Sequence, residues 1–286
     1  MNDQSRTKKL YGLQWNKYRI IRTEEDESTL RLKTGLAPAD FAGKLVLDGG
    51  CGMGRYARLA AGWGASVIGM DLSEAVFSAT ELTSEYADRV SIIRADLLRI
   101  PLPINTFDLV YSIGVIDHTP DPRRAFLNLA ACVRPGGMLA IWVYEKQSPI
   151  VEKIMAWHRA VARKLPVTFL EKASRWTVPI GGIKRRLMNS HWRLCQRLGV
   201  AVHALTIGVS MHPDPEVRAC DTLDWYAPAY VSHHTVEEVK NWFDEAGFER
   251  VTDPTADNAF FYDGQGQGVH LVGWKRESHN ESSIPC

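Results

Sequence analysis

The stretch Asp48-Gly-Gly-Cys-Gly-Met-Gly54 constrains this chain more than any other. It follows a short apolar run, Lys44–Asp48 (KLVLD), and precedes a helical segment, about Arg55–Gly62. Glycines at alternate positions 50, 52 and 54 permit positive φ and let main chain approach a ligand. The helix start behind them offers free N–H groups. A bare strand-to-helix turn needs fewer glycines, so the pattern reads as a binding turn. A dinucleotide turn is spaced GxGxxG and presents its N–H groups to a pyrophosphate. Here the spacing is GxGxG, and the Asp48 carboxylate stands before the glycines. That charge repels a pyrophosphate and favours a ligand with a cationic amino-acid end. A dehydrogenase is thereby a distant reading.

The segments that follow alternate. Ser66–Asp71 (SVIGMD), Val90–Ala95 (VSIIRA), Phe107–Ser112 (FDLVYS) and Gly137–Tyr144 (GMLAIWVY) read as strands. Ser73–Ala87 and Pro122–Val133 read as helices. Short apolar strands alternating with helices predict a parallel sheet covered on both faces. Asp71 ends the second strand, where a carboxylate can accept hydrogen bonds from both hydroxyls of a ribose. Capping the helix that follows is its competing role.

Residues 1–40 read as an N-terminal helical cap, with the acids of 24–27 opening a solvated helix. Residues 41–146 form the core. Residues 147–230 break the alternation and read as a mainly helical insertion, interrupted at Pro166, at Pro179-Ile-Gly-Gly and at His212–Pro215. Residues 231–276 return to the core: Thr235-Val-Glu-Glu238 is a capping box, the helix stops at Gly247, and Phe248–Thr252 and Val269–Trp274 close the sheet. Residues 277–286 read as a polar tail.

Net charge is +1, so the chain as a whole is no polycation, and nucleic acid is disfavoured as a partner. Residues 151–200 nevertheless hold eleven Lys and Arg against Glu152 and Glu171, a local +9. Three readings compete for it: a solvated cap, a site for an anionic small substrate, and docking on nucleic acid or an anionic membrane with Trp157, Trp176 and Trp192 interleaved. The first two are preferred. Five cysteines without a CxxC pair argue against a zinc site or a disulfide framework, and no signal or membrane-spanning run is legible. These features fit a cytoplasmic protein with reduced thiols.

Val46-Leu-Asp-Gly-Gly-Cys-Gly-Met-Gly54, Gly69-Met-Asp-Leu-Ser73, Ala95-Asp-Leu97, Phe107-Asp-Leu-Val-Tyr-Ser112 with Gly114-Val-Ile-Asp-His118-Thr-Pro-Asp121, and Arg134-Pro-Gly-Gly137 stand in order across residues 44–144. Together they resemble the class I S-adenosylmethionine-dependent methyltransferases of type 11 or 12. The resemblance implies a Rossmann-like, doubly wound, mostly parallel seven-stranded sheet with an antiparallel C-terminal strand, the helical insertion capping the active site. It also implies S-adenosyl-L-methionine as cofactor, held by Asp48, Gly49, Gly50, Gly52 and Gly54, by Asp71 and Leu72, by Asp96 and Leu97, and by Ser112. Tyr11-Gly-Leu-Gln-Trp15 and the segment from Asp224 to Phe248 are similar to parts of relatives that often act on small metabolites or sugars. Many relatives carry His-His where this chain has Asp117-His118, so no role is carried over to position 117.

Methyl transfer needs alignment first, and a general base only for a hydroxyl or protonated amine. His118, just past the fourth strand, is the first base candidate, with packing under the cofactor as its other role. His233 and His234 follow, beside Trp225, Tyr226 and Tyr230, which can line a substrate pocket. Tyr11 and Trp15, with Tyr18, either cover the sulfonium by cation–π attraction or pack the first helix on the core. The expected activity is methylation of an oxygen or nitrogen of a small molecule. The alternatives are an RNA or lipid-quinone methyltransferase using the basic segment, and a non-catalytic cofactor-binding partner.

Overall fold

The glycine turn sits at the middle of a seven-stranded sheet of order β3-β2-β1-β4-β5-β7-β6. The computed structural model describes residues 3–18, 21–254 and 268–277. The strands are β1 (Leu45–Gly49), β2 (Ser66–Asp71), β3 (Val90–Arg94), β4 (Phe107–Ile113), β5 (Val133–Tyr144), β6 (Phe248–Thr252) and β7 (Gly268–Lys275). The first five are parallel, and β7 runs antiparallel to both β5 and β6. The order reverses between β1 and β4, and open α/β sheets bind ligands at such a switch point, beyond the carboxyl ends of the strands.

Ten α-helices are described: α1 (Asp3–Lys17), α2 (Thr23–Thr34), α3 (Arg55–Gly62), α4 (Ala75–Leu82), α5 (Pro122–Cys132), α6 (Pro149–Ala162), α7 (Val167–Met188), α8 (Arg193–Leu205), α9 (Pro215–Tyr226) and α10 (Val236–Glu245). One apolar core lies between the sheet and α5 with α10, built on Leu47, Phe126, Leu129, Leu139 and Phe243. The opposite face carries α3 and α2 on Val46, Ala57, Leu109 and Ala140. A third cluster joins α1 to α7 and α9 through Leu10, Leu170, Ala219 and Leu223. Arg6 fixes that join, donating to the carbonyls of Ala162, Leu165 and Ala227 at the ends of α6 and α9, where terminal helix carbonyls lack intrahelical donors.

Several expectations are modified. α7 runs unbroken through Pro179-Ile-Gly-Gly. Those glycines serve close packing, because a Cβ on Gly181 would overlap the Ser210 carbonyl and the Arg218 side chain. α4 starts at Ala75, two residues late, since Ser73 folds back to donate through N and Oγ to Asp71 Oδ1. The capping box at Thr235 is half formed: Thr235 Oγ1 accepts from the Glu238 N–H at 3.1 Å, but the Glu238 carboxylate turns to His234 Nδ1 at 3.0 Å. Of the acids at 24–27, Asp26 is buried rather than solvated and pairs with Arg55 at 3.1 Å. The predicted tail from residue 278 lies outside the described residues.

Candidate active site

A cavity of about 270 Å³ opens over the carboxyl ends of β1, β2, β4 and β5. α1 and α2 roof it and α9 closes its far side. Its first half is the glycine turn. Gly50, Gly52 and Gly54 all have positive φ, at 91°, 52° and 85°. A Cβ on Gly50 would overlap Val115, and one on Gly52 would press the Trp15 ring at 3.3 Å. The cleft is therefore kept open by absent side chains and roofed by an indole. Gly50 N and Cys51 N both donate to the Met70 carbonyl, which locks the turn onto β2.

Asp48 lies one residue before that turn, beside Tyr111 across the β1–β4 ladder. Burial pushes its carboxyl up to about 7, with the Tyr111 hydroxyl pulling against that rise. Asp71 lines the same half, but much of its acceptor capacity is spent. Oδ1 accepts from Ser73 N and Oγ, and Oδ2 accepts from Gly52 N at 3.0 Å. A carboxylate has about four acceptor positions, so about one remains for a ligand. Of the two roles read from the sequence, the one at the start of the following helix is made through Ser73, and an acceptor position is left over for the other. Asp96 at the next strand end accepts from Gln4 of α1 and from Leu98 N. Leu72 and Leu97 complete the wall near it.

The second half is a polar box that is mostly not local in sequence. His118 is buried and its Nδ1 lies 3.1 Å from the Tyr230 carbonyl. A carbonyl only accepts, so Nδ1 carries a proton, and Nε2 is left without a hydrogen-bond partner. Nε2 is 3.8 Å from Asp224 Oδ2. The Tyr144 hydroxyl donates to the same oxygen at 2.7 Å. Tyr11 and Tyr144 flank the imidazole with ring centroids at 5.4 and 5.5 Å. Asp221, one turn before Asp224 on α9, has its carboxyl raised to about 7 by burial, opposed by a hydrogen bond from Ser210. The Lys33 ammonium sits 3.7 Å over the Trp142 ring, and burial drives it down to about 7. Behind the box, Asp117 is fully buried and takes a bond from Tyr144 N, and burial holds its carboxyl well above the usual range.

Of the residues singled out from the sequence, Tyr11, Trp15, Asp48, Gly50, Gly52, Asp71, Leu72, Asp96, Leu97, His118 and Trp225 line the cavity. Gly49, Gly54 and Ser112 stand behind it: Gly49 packs on Leu129, Gly54 on Ala79, and Ser112 Oγ donates to the Gly49 carbonyl at 2.7 Å. His233, His234, Tyr226 and Tyr230 are not on the wall. His233 Nδ1 lies 2.9 Å from Glu152, His234 sits between Ser232 and Glu238, and the Tyr226 hydroxyl donates to the Ile207 carbonyl. Sequence reasoning missed Asp224, Asp221, Tyr144, Lys33 and Arg55. Helical spacing of Asp221 and Asp224 by three was the one available signal. None of the basic residues of 151–200 reaches the cavity; the insertion caps it through α9 alone.

Residues 47–141 match the family described as methyltransferase domain. This chain carries a class I S-adenosylmethionine-dependent methyltransferase domain. The chain is 32% identical over 111 residues to a ubiquinone biosynthesis O-methyltransferase of Coxiella burnetii, covering 38% of this chain and 47% of that protein. A sterol 24-C-methyltransferase of Pneumocystis carinii is 29% identical over 123 residues, 40% of this chain and 33% of that protein. The chain therefore spans between a third and half of the length of these curated relatives. Among solved structures, a chain from the complex between the Haloferax volcanii Trm112 methyltransferase activator and a methyltransferase superposes with a TM-score of 0.53. It is 14% identical and covers 97% of this chain and 99% of that one, a likeness of fold alone.

Proposed function

We propose that this chain moves a methyl group from S-adenosyl-L-methionine to an oxygen or nitrogen of a small molecule seated in the His118–Asp224 box. The observation that carries the reading is the unpartnered, buried Nε2 of His118, aimed into a box continuous with the glycine turn. The turn fits the cofactor: side chains at Gly50 and Gly52 would fill the space, Asp48 offers a carboxylate to an ammonium group, and Asp71 keeps an acceptor position for a ribose hydroxyl. The Trp15 indole over Gly52 gives an aromatic cover of the kind that attracts a cation.

The bound cofactor supplies an activated methyl on a sulfonium, so the protein contributes alignment and proton handling. His118 Nε2 takes the proton of the acceptor group, while Nδ1–H stays on the Tyr230 carbonyl and holds the ring in place. Asp224, 3.8 Å away, stabilises the imidazolium that forms. The Tyr144 hydroxyl keeps Asp224 turned toward the ring. The box is walled by Asp221 and Asp224, which favours a neutral or cationic acceptor over the anionic substrate expected from the basic insertion.

Incubation with methyl-labelled cofactor and fractionated cell extract tests the proposal. A labelled small molecule, absent with a His118→Ala variant, is expected. Cofactor binding without label transfer to any fraction would leave a non-catalytic binding role instead.

A further inference from the structure

α8 is an amphipathic helix facing the wrong way for a globular core. Of its thirteen residues only Gly199 is buried, pressed against Met188 at the end of α7. Leu194, Leu198 and Leu205 fall on one stripe at helical spacing, and Leu205 is 86% exposed. The stripe is flanked by Arg193 and Arg197. The same arrangement recurs twice. On α7, Phe169, Trp176, Ile180 and Ile183 share a stripe flanked by Lys172 and Arg186. On α6, Ile150, Trp157 and Val161 share one flanked by Lys153. Trp157, Trp176 and Trp192 are 65%, 68% and 76% exposed, a degree of display that an indole rarely has in water without a partner. α7 and α8 pack antiparallel, with the Lys184 ammonium near the end of α7 reaching the Thr206 carbonyl just past α8, so Ile183 and Leu205 lie at the same level.

We propose that the α6–α8 face docks this chain on the surface of an anionic lipid bilayer. Among the described residues no carboxylate pairs with Arg186, Arg193 or Arg197, so their charge is available to lipid headgroups. Tryptophan and leucine with flanking cations is the composition that seats a helix at the headgroup boundary. An RNA would use the cations and rings but leave Leu194, Leu198 and Leu205 in water. A second copy would oppose two basic faces. No described helix is long and apolar enough to cross the membrane, so the contact is peripheral. α9 packs on α6 and α7 and carries Asp221 and Asp224 into the cavity, so docking brings the box within one helix of the lipid. The inference stands on the surface alone and does not depend on methyl transfer.

Flotation of the full chain with phosphatidylcholine vesicles, with and without phosphatidylserine, tests it. Binding to the anionic vesicles that weakens with added salt is expected. Replacing Arg186, Arg193 and Arg197 with glutamine should lower the partition on the order of a hundredfold. Trp192→Ser with Leu194→Ser and Leu198→Ser should abolish flotation while circular dichroism stays native. Equal binding to neutral and anionic vesicles, or flotation unchanged in both variants, overturns the proposal. So does a dimer in sedimentation that the leucine variants dissolve, or salt-dependent RNA binding in a chain that ignores vesicles.

Discussion

Asp48→Asn separates the two roles of the carboxylate at the end of β1. The amide keeps the shape and removes the titration. Burial lifts the Asp48 carboxyl from its ordinary 3.8 to about 7, so between these values the folded chain holds a proton that the unfolded chain has released. Stability in the absence of ligand must therefore fall as pH rises through that window. Ionising the buried group costs about 4 kcal/mol at ~1.4 kcal/mol per pH unit. A buried amide lacking a partner costs about 1–3 kcal/mol of its own, but that term does not change with pH. The stability difference between wild type and Asp48→Asn is thus expected to move by about 3 kcal/mol in favour of the variant from about pH 5 to about pH 8. Denaturant unfolding of both proteins without ligand, across that range, reads it directly. In the proposed function the same variant loses the partner of the cofactor's ammonium, and calorimetry should show affinity weakened by roughly 2 kcal/mol, a factor of about 30. A stability difference that is constant with pH would show that the carboxyl titrates normally, and unchanged affinity would remove it from the ligand site.

Five further variants have expected outcomes. Gly50→Ala forces a side chain into Val115 at φ 91° and should destabilise by about 2–5 kcal/mol. Gly52→Ala meets only the Trp15 ring and should lose about 1–2 kcal/mol in the same melts, with the larger effect on cofactor affinity. His118→Ala should lower kcat by about two to four orders of magnitude with cofactor affinity intact, and Asp224→Asn should lower kcat less, as steady-state kinetics against the labelled acceptor will show. Lys33→Met removes an ammonium that burial pushes down to about 7. Because the unfolded chain binds that proton up to about pH 10, wild-type stability should rise with pH above 7, and the variant should lose that rise in thermal melts compared across the range.

The glycine-turn half of the cavity was legible because it is local: a strand, three glycines and a strand-ending acid lie within one βαβ unit, and apolar period and backbone need mark each of them. The polar box was not, since His118, Tyr144 and Asp224 come from three elements whose meeting depends on how α9 folds back over the sheet. His118 was visible only from its place after β4. Trp225 and Tyr226 stand out in the sequence by aromaticity alone; the helix turns Asp224 and Trp225 to the cavity and leaves Tyr226 bonded to Ile207. Charge counted along 151–200 suggested an anionic substrate because composition carries no direction. The structure buries Lys184, turns most of the remaining charge away from the cavity, and lines the box with acids. At Thr235 the half-formed box has an equally local cause: His234, which sequence rules for caps ignore, takes the carboxylate of Glu238.

Titration calorimetry with S-adenosyl-L-methionine, set beside a nicotinamide dinucleotide, examines the central claim most directly. One equivalent of the sulfonium cofactor should bind, more weakly in Asp48→Asn and Asp71→Ala, with no heat from the dinucleotide. Binding of the dinucleotide alone, or sulfonium binding indifferent to both acids, would contradict the account.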